Sequence, residues 1–182
     1  YLDVDSVIQE QKAFGACRDV TLEYPVAENE GEEDNTYLSY NMVVGNAADS
    51  QMAMAFEVLD YALLSAPGAP LKQALLDVKA GKDVYGSYDD GILQPYFTVI
   101  AKGSNPDRKE EFVSVIRQVL GDIVKNGIDK KAVEAGINYF EFRYREADFS
   151  SYPKGLMYSL DILGDWLYEK GNPFAQVQQL TV

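Results

Sequence analysis

Val20, Leu22 and Tyr24 alternate with Thr21 and Glu23. A period of two in β-branched and aromatic residues predicts a strand. Pro25 closes that strand or marks it as an edge. Residues 28–35 are an acidic loop around Gly31 that reads as a hairpin turn. Residues 37–44 then alternate again, with Leu38, Tyr40, Met42 and Val44 on one face and Tyr37, Ser39, Asn41 and Val43 on the other. Two such runs in succession favour an antiparallel pair.

The period then changes. Asp49 or Ser50 can cap a helix, and Met52, Ala55, Leu59 and Leu63 recur at three- and four-residue steps, which predicts an amphipathic helix. Pro67-Gly68 stops it, and Pro70 opens a second short helix through Leu71, Leu75 and Leu76. Residues 84–88 read as a strand with Asp89-Asp90-Gly91 as its turn, and residues 96–101 as another. Asp107 with Glu110 marks a helix start, followed by a stripe of Phe112, Val115, Ile116, Val119 and Ile123 up to Gly127. Asp129 caps the next helix, predicted to bury Val133, Ile137, Phe140 and Tyr144. Pro153 begins a last helix carrying Leu156, Leu160, Leu163 and Leu167, and Gly171-Asn172-Pro173 ends it. Strands and helices do not alternate regularly. That order predicts an α+β domain over residues 18–182, with a mainly antiparallel (mixed) sheet and its helices packed on one face. Residues 1–17 lack a period and read as a connector from a preceding domain.

Composition narrows what the domain can do. Among 182 residues, 47% are apolar, enough for one domain with its own core. The first residue is Tyr1, as expected for a piece of a longer chain. There is no histidine, which removes the commonest general base, every Ser-His or Cys-His nucleophile pair and most zinc sites. The one cysteine, Cys17, forms no internal disulfide and fits a reducing compartment, the cytoplasm or the mitochondrial matrix. No apolar run is long enough to span a membrane. The formal charge of −13 repels nucleic-acid phosphates and attracts basic partners.

Local candidates for chemistry resolve into structure. Glu28, Glu30, Glu32, Glu33 and Asp34 are dense but lack the spacing of a calcium loop, so they read as a solvated turn. Asp89 and Asp90 read as turn residues. Ser151 and Lys154 match S-x-x-K, yet Pro153 between them starts the helix and leaves Ser151 outside it. Cys17 has Arg18 beside it but no histidine to activate it. The 13 tyrosines fall mostly at apolar positions of strands and helices, which assigns them to core and rim packing.

Several stretches resemble one family. Residues 59–71 (LDYALLSAPGAPL), 93–97 (LQPYF), Glu141-Phe142, 149–156 (FSSYPKGL) and 163–168 (LGDWLY) occur in order and are similar to the second domain of presequence proteases, a branch of the insulinase/pitrilysin zinc peptidases. The resemblance runs from about Arg18 to Pro173. It implies a mitochondrial-processing-peptidase-like metallohydrolase domain that is non-catalytic. In that family the first domain carries the H-x-x-E-H zinc motif, so zinc is implied for the parent protein and none for this chain. No catalytic residue carries over. The implied role is structural and substrate-holding within a zinc metalloendopeptidase that degrades unstructured peptides. The implied partners are the other domains of the same polypeptide and extended basic peptides, with neither nucleic acid nor membrane. In insulin-degrading relatives a strand and a turn of this domain hold the substrate's N-terminal end. The matching positions are Tyr37, Ser39, Asn41 and Val43 in the strand, and Leu63, Leu64, Ser65, Ala66, Pro67 and Gly68 in the turn. The relatives are glycine-rich at this turn, whereas this chain has Ser65, Ala66 and Pro67. Two alternatives remain open on sequence: a domain of an inactive core-type relative serving assembly, and an unrelated acidic peptide-binding module.

Overall fold

The computed structural model of the chain describes residues 5, 7–29, 31–47, 49–146, 151–168, 172 and 174. Three period-two segments form its sheet: β1 (Thr36–Val43), β2 (Asp83–Asp89) and β3 (Tyr96–Ser104). The order is β1-β3-β2 with both pairings antiparallel. β3 is central, and among the described residues it is the only ladder partner of either neighbour.

The pleat sorts side chains to two unlike faces. Leu38, Tyr40 and Met42 of β1 share a face with Phe97, Val99 and Ala101 of β3 and with Val84 and Tyr88 of β2. This face is covered by helices. These are α1 (Ser50–Asp60), α2 (Pro70–Asp77) and α3 (Lys109–Asn126). One core joins Leu63, Leu64, Leu71, Leu75, Phe112 and Ile116 to the strand residues. The opposite face holds Tyr37, Ser39, Asn41, Val43, Tyr85 and Lys102, all exposed. The chain therefore has the α+β architecture expected, with an antiparallel sheet and its helices on one side.

Local chemistry explains most boundaries. The Asp49 side chain accepts a hydrogen bond from the Met52 amide at 3.0 Å and caps α1. Pro70 sits in the first turn of α2, where a missing amide hydrogen costs nothing. Gly127, at φ 87°, ends α3 with its amide on the Ile123 carbonyl. Asp129 Oδ1 accepts from the Lys131 amide at 3.0 Å at the start of α4 (Lys130–Glu146). Pro153 immediately precedes α5 (Lys154–Leu167).

Four expectations need correction. Residues 20–24 form no strand; Val20 and Leu22 are 69% and 84% exposed, and the segment is held by side chains rather than by a ladder. In α1 the buried positions are Ala53 and Val58, with Phe56 packed on Tyr88 and Phe97, while Met52 is exposed. The larger, flatter Phe56 takes the place against the sheet and turns the helix accordingly. In α4, Ile137 is exposed and the buried point is Gly136. A Cβ there would come within 3.2 Å of Val58 and 3.3 Å of Tyr61, so the missing side chain sets the α1–α4 approach. In α5, Leu156, Leu160, Leu163, Trp166 and Leu167 are all exposed. The burial of Tyr144, the residues Glu30, Phe149 and Ser150, and the stop at Gly171 and Pro173 lie outside the described residues.

Candidate peptide-holding site

The sequence points to two segments, and the fold separates them. Tyr37, Ser39, Asn41 and Val43 line β1 on the open face of the sheet. Asn41 accepts a hydrogen bond from the Thr98 hydroxyl at 2.5 Å across the β1–β3 pair. Lys102 lies 5.8 Å from the centre of the Tyr37 ring, a weak cation–π contact at this exposure. The outer edge of β1 carries no ladder among the described residues.

The turn is built differently. After Asp60 the chain makes one turn of π-helix, Tyr61–Ser65, closed by the Ala66 amide on the Tyr61 carbonyl at 2.7 Å. Such turns insert one residue more than α geometry and recur at functional positions. The insertion sends both Leu63 and Leu64 into the core. Their side chains are thus structural, and the exposed part of the turn is Ser65, Pro67 and Gly68, with Ala66 half-buried. Gly68 has φ 73°, a left-handed conformation that glycine adopts without strain. The π-turn packs on α1, α2, α4 and β2. β2 is the other outer strand, so the turn lies beside β2 and not beside β1.

Two residues beneath the turn escape a reading by period. A Cβ at Gly86 of β2 would lie 2.2 Å from Leu64 Cδ1 and 2.5 Å from Asp60 Oδ1. Asp60 Oδ1 is buried and accepts no hydrogen bond, while Oδ2 takes one from Ser65 at 3.4 Å. Burial pushes the Asp60 carboxyl above its ordinary pKa, partly offset by that Ser65 bond. A glycine inside a strand pattern is the signal that marks such a close approach.

The sign of the Asp60 effect is testable. Because its folded pKa is raised, the native state binds the extra proton. Stability then falls as pH rises from the unfolded carboxylate value, about 4, through the folded value, and the penalty is constant above it. Asp60→Asn keeps the shape and removes the charge. It is expected to raise the urea midpoint at pH 7, with the gain shrinking as pH falls through the raised folded value and gone below about 4.

The remaining candidates are structural. Asp89 accepts from the Gly91 amide at 3.0 Å and from the Tyr96 hydroxyl at 3.1 Å, as a turn residue does. Asp34, at φ 55°, is held by Asn105 and by Lys82, which together lower its pKa. Tyr88 stacks on Phe56 and is pushed up to about 12 by burial, Asp90, Glu57 and Asp49. Lys154 donates to the Glu146 carbonyl at 3.0 Å, and Cys17 is exposed. The described residues contain no group of three or more His, Cys, Asp or Glu able to hold a metal. With no histidine in the chain, its donors do not fit catalytic zinc. Among the described residues no helix is long and apolar enough to cross a membrane.

The profile of the Peptidase M16 inactive domain matches residues 8–140, and the chain belongs to that family. It is 42% identical over 178 residues to Protein HypA of Clostridium perfringens, covering 98% of this chain and 18% of that protein. It is 30% identical over 171 residues to Presequence protease 1, chloroplastic/mitochondrial, of Arabidopsis thaliana, covering 93% of this chain and 16% of that protein. The chain thus spans less than a fifth of the length of these relatives. Its fold matches the inactive peptidase domain of a proposed zinc protease from Bordetella parapertussis at TM-score 0.64 and 13% identity, covering 80% of this chain and 75% of that one. An unrelated acidic module is thereby set aside.

Proposed function

We propose that this chain is the structural and substrate-holding domain of a longer zinc metalloendopeptidase acting on unstructured peptides. The zinc and its H-x-x-E-H ligands belong to another domain of that polypeptide. The observation that supports the holding role is the pair of outer edges, on β1 and β2, that carry no ladder among the described residues. An extended peptide can complete such an edge through its own amides and carbonyls, which suits a site that must accept many sequences. On the β1 edge the peptide runs beside Tyr37, Ser39, Asn41 and Val43. On the β2 edge it meets the turn at Ser65, Ala66, Pro67 and Gly68, seated on Leu63 and Leu64. The −13 charge concentrates basic peptides at the surface.

Amide chemical-shift mapping with a short basic peptide tests the reading. Shifts are expected along residues 37–43, or along 83–89 with 65–68. They should weaken as salt shortens the screening length from about 10 Å at 0.1 M towards about 3 Å at 1 M. A peptide N-methylated at alternate amides should lose most of its binding, because it cannot complete the ladder. No shifts at either edge with millimolar peptide would leave the scaffold role alone. H-x-x-E-H in the preceding polypeptide separates an active parent from an inactive assembly relative.

A further inference from the structure

Residues 10–24 reach from one end of β1 to the other and are pinned near both ends. Near the C-terminal end, the Asn46 amide group donates to Glu10 Oε1 at 2.9 Å. The Gln11 main-chain amide donates to Gln94 Oε1 at 2.6 Å, and Gln94 Nε2 donates back to the Gln11 carbonyl at 3.1 Å. Gln94 adjoins Pro95, whose carbonyl takes the Val44 amide at 2.8 Å, just beyond the pairing of Val43 with Tyr96. Near the N-terminal end, the Tyr24 hydroxyl donates to the Asn35 carbonyl, and its ring meets Tyr37 edge-on at 5.9 Å. Asp19 is ion-paired with Lys109 at the start of α3. Since β1 runs from 36 to 43, this segment lies antiparallel to it.

We infer that residues 20–24 are a strap that closes the free edge of β1 as a fourth antiparallel strand, in competition with bound peptide. The period-two pattern of Val20, Leu22 and Tyr24 is that of a strand without a ladder. Contact of Tyr24 with Tyr37 sets the register, placing Leu22 opposite Ser39 and Val20 opposite Asn41. Both apolar side chains then lie on the open face beside β1, where they lose part of their 69% and 84% exposure. Slack in the chain explains why the ladder is open here. Fully extended, residues 10–24 reach about 46 Å, against about 36 Å for the stretch from 35 to 46 that they accompany. The bend at Gly15 and Ala16 lies between the two pinned ends and can take up the difference. Closure needs no movement of the sheet, but it carries Asp19 towards Met42 and so breaks the Asp19–Lys109 ion pair. The competition rests on the peptide-holding reading; closure itself does not.

Hydrogen exchange on the 182-residue chain tests this, with Leu22→Pro as the comparison. Proline removes an amide donor and fits a paired strand poorly. Leu22 is exposed, so the far-ultraviolet circular dichroism should be unchanged. In the wild type, alternate amides of residues 20–24 are expected to exchange about tenfold more slowly than those of Gly15 and Ala16. Leu22→Pro should abolish that protection. A closed fraction that gives tenfold protection lowers apparent peptide affinity by about the same factor, so the variant should bind a basic peptide at β1 about tenfold more tightly. Exchange of residues 20–24 as fast as Gly15 would overturn the strap, even if peptide shifts residues 37–43. Protection with no peptide binding by either protein would keep the strap and remove the peptide-holding role of β1. Unchanged affinity in Leu22→Pro, with peptide bound at β1, would overturn the competition.

Discussion

Phe112→Ala is expected to remove a large share of the stability of the domain. Phe112 is 1% exposed and lies in the one core that joins α3 to the sheet. Truncating a buried phenylalanine costs about 3–5 kcal/mol, the lost transfer energy plus the cavity that remains. A domain typically has about 5–15 kcal/mol in hand, and among the described residues this one has three strands and helices on a single face to draw upon. A urea titration followed by circular dichroism should show the transition moved to much lower denaturant. A shift of less than about 1 kcal/mol would mean that α3 is not the lid of the core.

Gly86→Ala is the second large effect, and it acts by crowding. The added methyl would sit 2.2 Å from Leu64 Cδ1 and 2.5 Å from Asp60 Oδ1. Leu64 is 1% exposed and cannot retreat, and the π-turn that carries it is held on four sides. Overpacking usually costs about 1–3 kcal/mol and more where the neighbours are fixed; a loss of at least about 3 kcal/mol is expected. Gly121→Ala in α3 is the control. Nothing lies within 4 Å of its added Cβ, so the better helix former should raise stability by up to about 1 kcal/mol. The same glycine-to-alanine change thus has opposite signs at two positions, and equal effects would refute the close approach.

The sheet and most helix ends were legible because they depend on local signals. The alternation in residues 37–44 became β1 almost to the residue, Asp49 and Pro70 opened the helices expected of them, and Gly127 closed α3. What was not legible depends on residues far apart. Met52 and Phe56 both fit an apolar stripe on α1, and only the presence of Tyr88 and Phe97 on the sheet decides for Phe56. The leucines of α5 have a good helical period, yet among the described residues they stay exposed. Residues 20–24 have the pattern of a strand, yet a strand exists only where a neighbour supplies a ladder. Within the candidate site, Pro67 and Gly68 lie in the turn before α2, whereas Leu63, Leu64 and Ser65 belong to the π-turn. Which outer strand they flank could not be read, since strand order is not written in any one segment.

The strand order β1-β3-β2 also sets a timetable. β2 and β3 are neighbours in sequence and can pair as a hairpin within microseconds, but the partner of β1 lies some sixty residues downstream, with α1, the π-turn and α2 in between. At synthesis rates of roughly 5–20 residues per second, β1 exists for seconds before β3 does. During that interval the alternating segment at residues 20–24 is the strand-forming sequence nearest to it, a local pairing with little loop entropy to overcome. An exposed strand with nothing beside it is the form most prone to pair with another chain. Residues 20–24 are therefore placed to shield β1 on the ribosome while its partner strand is still being made.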